Sequence, residues 1–227
     1  MTNKKSIRAL ISTLKSKGYL IYDKPYQLNI VGVRNETTVP NKFDDTIYVF
    51  WKNDQNKWEG KEYNATTDPG TYFLYNPLSK LGTAILKEGQ WVDAYIIGLH
   101  RGIYDALVQR KPVTVIRDYD RNAVLDFENG REETGLFGIN IHKAGKDSKD
   151  VDKWSAGCQV FQKSDDFNQF MDLARKHREL YGNKFTYTLI DERAYNRRLK
   201  RYGVYIALIT LTTIAAYIGF KSYKKSL

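Results

Sequence analysis

The sequence predicts a mainly β fold, a sandwich or barrel-like sheet with few helices. Short runs rich in Val, Ile, Tyr, Phe and Trp recur from Tyr19 to Arg117, and Gly, Pro, Asn and Asp clusters separate them. Such spacing is that of an antiparallel all-β domain. Only one long stretch after residue 17, beginning at Ser164, has clear helical periodicity before the carboxy-terminal region. The 227 residues, with 17 Tyr and 10 Phe, suffice for one domain with a sizeable core and terminal extensions.

Residues 1–17 read as a basic amphipathic helix, with Ile7, Leu10, Ile11 and Leu14 at helical spacing and Lys and Arg elsewhere. This stretch has no long apolar run and no small-residue cleavage site, so it does not read as a secretory signal. It is expected to dock on the domain that follows, residues 18–192; the other reading is a helix lying on a membrane surface. Tyr19–Tyr22 and Gln27–Arg34 read as strands about the Asp23-Lys24-Pro25 turn. Ile47–Trp51 and Lys57–Tyr63 form a hairpin across Asn53–Asn56. Tyr72–Tyr75 reads as a strand after Pro69-Gly70. Ala84–Leu86 and Gln90–Ile97 form a second hairpin across Lys87-Glu88-Gly89.

Val113–Arg117 begins just after Pro112, as an edge or first-strand proline should. Leu136–Ile141 reads as a buried strand, with His142 at its end. Ser164 is the expected N-cap of a helix with acids at 165 and 166. Its apolar positions are Phe167, Phe170, Met171, Leu173, Ala174 and Leu180, and Gly182 ends it. His177 falls at the edge of the apolar face, a satisfied boundary residue. Phe185–Ile190 is the last strand.

The net charge of +10 raises nucleic acid as a partner, but its location argues against one. Residues 193–227 hold eight Lys/Arg and no acid, and residues 1–24 carry a net +5, which leaves the body at −3. Basic ends on a slightly acidic body suit a membrane surface better. Gly203–Phe220 is 18 residues without a charge, just long enough to span a bilayer. A basic linker, 193–202, precedes it and a basic tail, 221–227, follows. Tyr202, Tyr205 and Tyr217 fit interfacial aromatic belts.

Cys158 is the only cysteine, so it forms neither an internal disulfide nor a structural zinc site by itself. It is either a packed small residue or a reactive thiol. Gly157 beside it permits close backbone approach, with freed N–H groups. Ser155 places a hydroxyl at the same turn. His142, returned by the polar loop 143–153, is the base that a thiol nucleophile needs near neutral pH.

His142, a polar loop and then Ser155-Ala156-Gly157-Cys158 resemble the active-site signature of L,D-transpeptidases: His-Gly, a variable loop, then Ser-His-Gly-Cys. Thr66-Thr67-Asp68-Pro69-Gly70-Thr71-Tyr72 is similar to the family's Thr-Pro-x-Gly-x-Phe segment, and the resemblance covers about residues 45–165. Lys143 stands where the family has Gly, and Ala156 where it has a second His. Gly138–His142 with Trp154–Gln159 looks more like a divergent branch in bacteriophages of gut bacteria.

The resemblance implies a β-rich catalytic domain and a metal-free enzyme acting on peptidoglycan stem peptides. Cys158 would attack a peptide carbonyl, His142 would serve as base and then acid, and N–H groups near Gly157 and Cys158 would hold the oxyanion. Ser155 would orient the loop or the imidazole. Release to water gives a peptidase of endolysin type, used at phage lysis or entry; release to an amine gives a transpeptidase. His100, Tyr104 and Trp154 are candidates for contact with substrate. The alternative is a catalytically inert, membrane-attached binding or virion protein, which the missing second His supports.

Asp118, Asp120, Asn122 and Asp126 place oxygen ligands at alternate positions, as at the start of a calcium loop. Ala123 replaces the glycine of the sharp turn and Asn129 the bidentate Glu. The other reading is a polar turn between strands.

Overall fold

The structure is a computed structural model describing residues 4–127, 130–193, 195 and 196. The linker beyond 196, the 203–220 segment and the tail lie outside the described residues. No helix of the described residues is long and apolar enough to cross a membrane.

Strand residues outnumber helical ones, as expected of a mainly β chain. The strands are β1 (Asn29–Arg34), β2 (Asp45–Lys52), β3 (Trp58–Thr66), β4 (Thr83–Leu86), β5 (Gly89–His100), β6 (Tyr104–Gln109), β7 (Val113–Asp118), β8 (Arg131–Gly135), β9 (Ile141–Lys143), β10 (Gln159–Phe161) and β11 (Phe185–Asp191). The helices are α1 (Lys4–Ser16), α2 (Thr71–Tyr75) and α3 (Ser164–Tyr181). Eight strands close a barrel in the order β1-β11-β5-β6-β9-β10-β3-β2, and β4-β7-β8 form a separate sheet. Within the barrel β1–β11 and β9–β10 are parallel; the other pairs are antiparallel.

One core serves both sheets. Ala84, Leu86, Val113 and Val115 of the small sheet join Ile47, Tyr95, Leu107, Phe161 and Tyr187 of the barrel. Phe167, Phe170, Met171 and Ala174 of α3 cap this core, whereas Leu180 is exposed. α1 docks on the barrel's outer face. Ile7, Leu10 and Leu14 pack with Val31, Val33, Phe50, Ile190 and Tyr195 in a second cluster.

Several expected elements differ. Tyr19–Tyr22 is not a strand. The Gln90 side chain bonds both the N–H and the carbonyl of Leu20, and Asn29 Oδ1 accepts from Tyr22 N–H, so side-chain amides stand in for a ladder. Tyr72–Tyr75 lies in the short helix α2 with Phe73 and Leu74 buried, a segment too short for periodicity to separate helix from strand. β4 and β5 are not a hairpin. Lys87-Glu88-Gly89 instead carries the chain from the small sheet, where β4 pairs β7, into the barrel.

Pro112 stands just before the first residue of β7, as read, and β7 is central in its sheet, where β8, which was not foreseen, covers its other side. Residues 136–140 are irregular and Leu136 is exposed. The Gln109 side chain takes the N–H groups of Phe137 and Ile139, so that stretch needs no neighbouring strand. β6 and β10 were also unforeseen. Lys163, not Ser164, is the N-cap of α3; Ser164 Oγ donates to Gly145 O at 2.8 Å instead. His177 is a satisfied buried residue, its Nδ1 accepting from Leu28 N–H and its Nε2 facing Lys184 O.

The docking of α1 is testable by truncating a fully buried side chain. Leu10→Ala should lower unfolding free energy by about 2–5 kcal/mol in a urea titration, since it removes packing and leaves a cavity. A change under about 0.5 kcal/mol would mean that α1 does not stabilise the domain.

Candidate functional site

The site begins with the parallel pairing of β9 and β10. Ile141 faces Gln159, His142 faces Val160, and Gln159 N–H bonds Asn140 O. Continued back by one residue, the register sets Cys158 beside Asn140. His142 is then the diagonal neighbour of Cys158 on the same face, on the order of 7 Å away at the backbone and bridgeable only by the side chains.

The thiol is half-buried. Sγ accepts from Asn140 N–H at 3.5 Å and donates to Gly138 O at 3.4 Å. These are its hydrogen bonds among the described residues; none runs to an imidazole. Burial pushes the thiol up, opposed by the Asn140 N–H and by Arg101. No hydrogen bond to His142 offsets that rise in the free protein. Partial solvent access moderates the rise.

His142 is 3% exposed. Its Nδ1 lies 2.9 Å from Lys143 O, which can only accept, so Nδ1 carries the proton and Nε2 the lone pair. Burial, then the neighbouring His100, holds its pKa down to about 3. The imidazole is neutral across the physiological range.

Two other candidates join it. The His100 ring stacks on His142 with centroids 4.1 Å apart and planes at 23°. Asn140 Nδ2 donates to His100 Nδ1 at 3.1 Å, and burial, then Arg101, lowers the pKa of His100. Tyr104 Oη lies 3.4 Å from Lys143 O and 3.5 Å from His142 Nδ1. Burial first, and a charge on Cys158 after it, raise the Tyr104 hydroxyl. His142, His100 and Tyr104 thus form one cluster, to which Cys158 is linked through Asn140. Trp154 is apart from it: the half-exposed indole lies over Gly145.

The cysteine loop is held from behind. Ser155, fully buried, donates through Oγ to Cys158 O at 2.8 Å and accepts from Gly157 N–H at 3.1 Å. It therefore shapes the loop and does not touch the imidazole. Gly157 has φ +116, and a Cβ there would collide with the carbonyl of Ala84 in β4. Its glycine character is required for packing against the small sheet. Its N–H is also taken, which leaves the Cys158 N–H as the expected oxyanion donor of the two. Gly70 N–H bonds Ser155 O at 2.9 Å, so the Pro69-Gly70 segment clamps the loop.

No family model, curated protein or solved structure matches the chain.

Four contributors escaped sequence reasoning. Asn140 contacts both Sγ and His100. The Lys143 carbonyl fixes the His142 tautomer and, being backbone, needs no particular side chain. Gln159, fully buried, accepts from Tyr187 Oη at 2.8 Å and donates to Thr67 O and Gly157 O. Arg34 bonds Asp68 at 2.8 Å and both Thr67 Oγ1 and Thr67 O, bracing the end of β3. Only an alternation of polar residues on one strand face, Asn140 and His142, hinted at the first.

The possible calcium residues lie elsewhere. Asp118, Asp120 and Asp126 have carboxylate oxygens within 4.8 Å of one another. The Asn122 amide bonds Asp120 and accepts from Val124 N–H. Asn129 lies outside the described residues. Burial, then the charges of Asp120 and Asp126, raise Asp118 to about 6.

A raised thiol beside a neutral imidazole sets a pH dependence. Iodoacetamide labelling of Cys158 should climb about tenfold per pH unit from 7 to 9, following the thiolate fraction. No step should appear near pH 6, because His142 does not titrate there. A plateau below pH 7 would reveal a preformed thiolate–imidazolium pair instead.

Proposed function

We propose that the chain is a cysteine-dependent peptidase or transpeptidase of L,D-transpeptidase type, acting on peptidoglycan stem peptides through an acyl-enzyme. The observation that carries this reading is the state of His142: neutral, with Nδ1–H held by Lys143 O and Nε2 unprotonated, one diagonal step from the only thiol. The tautomer, with Nδ1–H held and Nε2 free, is the one a general base needs, although burial leaves this imidazole a weaker base than one poised near neutrality.

In the proposed reaction Sγ attacks the peptide carbonyl carbon while its proton passes to His142 Nε2. The resulting imidazolium is stabilised by Lys143 O, the one interaction that favours its charged form. The Cys158 N–H donates to the oxyanion. The C–N bond then breaks, His142 returns its proton to the leaving amine, and a thioester remains. Attack by water yields a cut peptide and free thiol; attack by an amine yields a new cross-link. Wall cleavage at phage lysis or entry fits this chemistry. The uncharged residues 203–220, flanked by Lys and Arg, would anchor the domain in a membrane.

The raised thiol and the absence of a sulfur–imidazole hydrogen bond favour a second reading, an inert binding or virion protein of the same fold. Incubation of the full chain with purified peptidoglycan, followed by mass analysis of released peptides, separates the two. Catalysis predicts new termini or cross-links. Cys158→Ala should abolish them without unfolding the protein, and His142→Ala should slow them about 10²–10⁴-fold. Tyr104→Phe should cost roughly tenfold or less, the loss of one hydrogen bond. Unaltered peptidoglycan that still binds the protein would support the inert reading.

The anchor has a separate check. The full chain should sediment with membranes and require detergent for release; recovery as a soluble monomer without detergent would refute it.

A further inference from the structure

The loop after β7 is independent of the chemistry at Cys158. It brings one carboxylate from the end of a strand, Asp118, together with two from the following turn, Asp120 and Asp126, all within 4.8 Å. Three like charges at that spacing repel one another unless a cation or protons intervene.

A second observation concerns Asp118 alone. The residue is 1% exposed. Its Oδ2 accepts from Asp126 N–H at 3.2 Å, but its Oδ1 is buried with no hydrogen-bond partner among the described residues. An orphaned carboxylate oxygen in the interior carries its desolvation cost uncompensated. The other two carboxylates differ: Asp120 is exposed and Asp126 half-buried, so one side of the cluster opens to solvent. One dry oxygen with two wetter ones describes a site that takes an ion from water and completes its shell with water.

We propose that Asp118, Asp120 and Asp126 bind a hard divalent cation, Ca2+ in preference to Mg2+. The donors are all oxygen, which excludes a soft-metal site. They come from a strand end and an irregular turn rather than a rigid octahedral frame, and Ca2+ tolerates such variable geometry while Mg2+ demands near-ideal angles. The ion would tie the end of β7 to the turn at residue 126. Three carboxylates without the bidentate Glu of a full calcium loop place the affinity at a Kd on the order of 10⁻⁴–10⁻³ M.

The test uses the full chain in detergent, Ca2+ or Mg2+ alone as ligand, and thermal unfolding as readout. In 10 mM Ca2+, against chelator, the melting temperature should rise by roughly 3 °C or more, by mass action on the folded state. Mg2+ should give a smaller rise. Tb3+ should bind competitively with Ca2+ and luminesce on excitation of Tyr119, the exposed neighbour of Asp118 and Asp120.

Asp118→Asn, which keeps the shape and removes the buried charge, should abolish the Ca2+ response and the Tb3+ signal. Should that variant fail to fold, Asp126→Asn, at a half-buried position, should weaken Ca2+ at least tenfold. Equal melting temperatures of the unaltered chain in Ca2+ and chelator would overturn the proposal. So would an unchanged Ca2+ response in Asp118→Asn, or an unweakened one in Asp126→Asn. Activity at Cys158 does not enter the readout, so either proposal can fail alone.

Discussion

The parallel pairing of β9 with β10 is the constraint on which the site depends. Adjacent parallel strands require a crossover, usually through a helix. Here the crossover is the irregular loop 144–158, and it must be held in place by other means. Val151 is buried in a small cluster with Phe43, Ala144 and Val160. Its N–H bonds Asn41 O, and Gly145 and Ser155 are bonded by Ser164 and by Gly70. Without those restraints the register that sets Cys158 beside Asn140 would lose its definition, and with it the diagonal relation to His142.

The electrostatics follow from where this pairing lies. β9 and β10 sit inside the barrel wall, so the imidazole is dry while the sulfur keeps partial access to water. Burial penalises the charged form of each group, and the stacked His100 penalises imidazolium further. Both partners are therefore neutral at rest. A charged pair is thus disfavoured at rest, and the groups that favour charge are few: the Lys143 carbonyl for imidazolium, and the Asn140 N–H and Arg101 for thiolate. The second His of the L,D-transpeptidase signature has no counterpart at Ala156, but a second imidazole does reach the site, through His100 at the end of β5.

Residues whose roles rest on local pattern were legible in the sequence. Alternation and turn chemistry located β1, β2, β3, β7 and β11. Helical spacing located α1 and α3, because each keeps one apolar face over several turns. Two expected strand stretches instead have backbone groups satisfied by distant side chains, Gln90 at Leu20 and Gln109 at Phe137 and Ile139. β10, three residues long, is too short for a period; β6 and β8 were missed without either cause. At the site, His142 and Cys158 were legible as candidate residues, brought to β9 and the entry of the adjacent β10 by the return of the polar loop. Asn140, the Lys143 carbonyl and Gln159 were not, since their roles arise only once the barrel closes.

β4 gives Gly157 a reason that the sequence could not show: the space its Cβ would fill is occupied by the Ala84 carbonyl. Two residues earlier, Gly82 stands in the same relation to the carbonyl of Asp118, with φ +99. The short strand is thus pressed at one point against the cysteine loop and next to the other against the acidic turn, and Thr83 between them pairs with Asp118. Side chains at Gly82 or Gly157 would force these backbones apart, so the small sheet cannot shift relative to the barrel without displacing the loop that carries the thiol. The separate three-stranded sheet is in this sense part of the site's support, although none of its residues touches the sulfur.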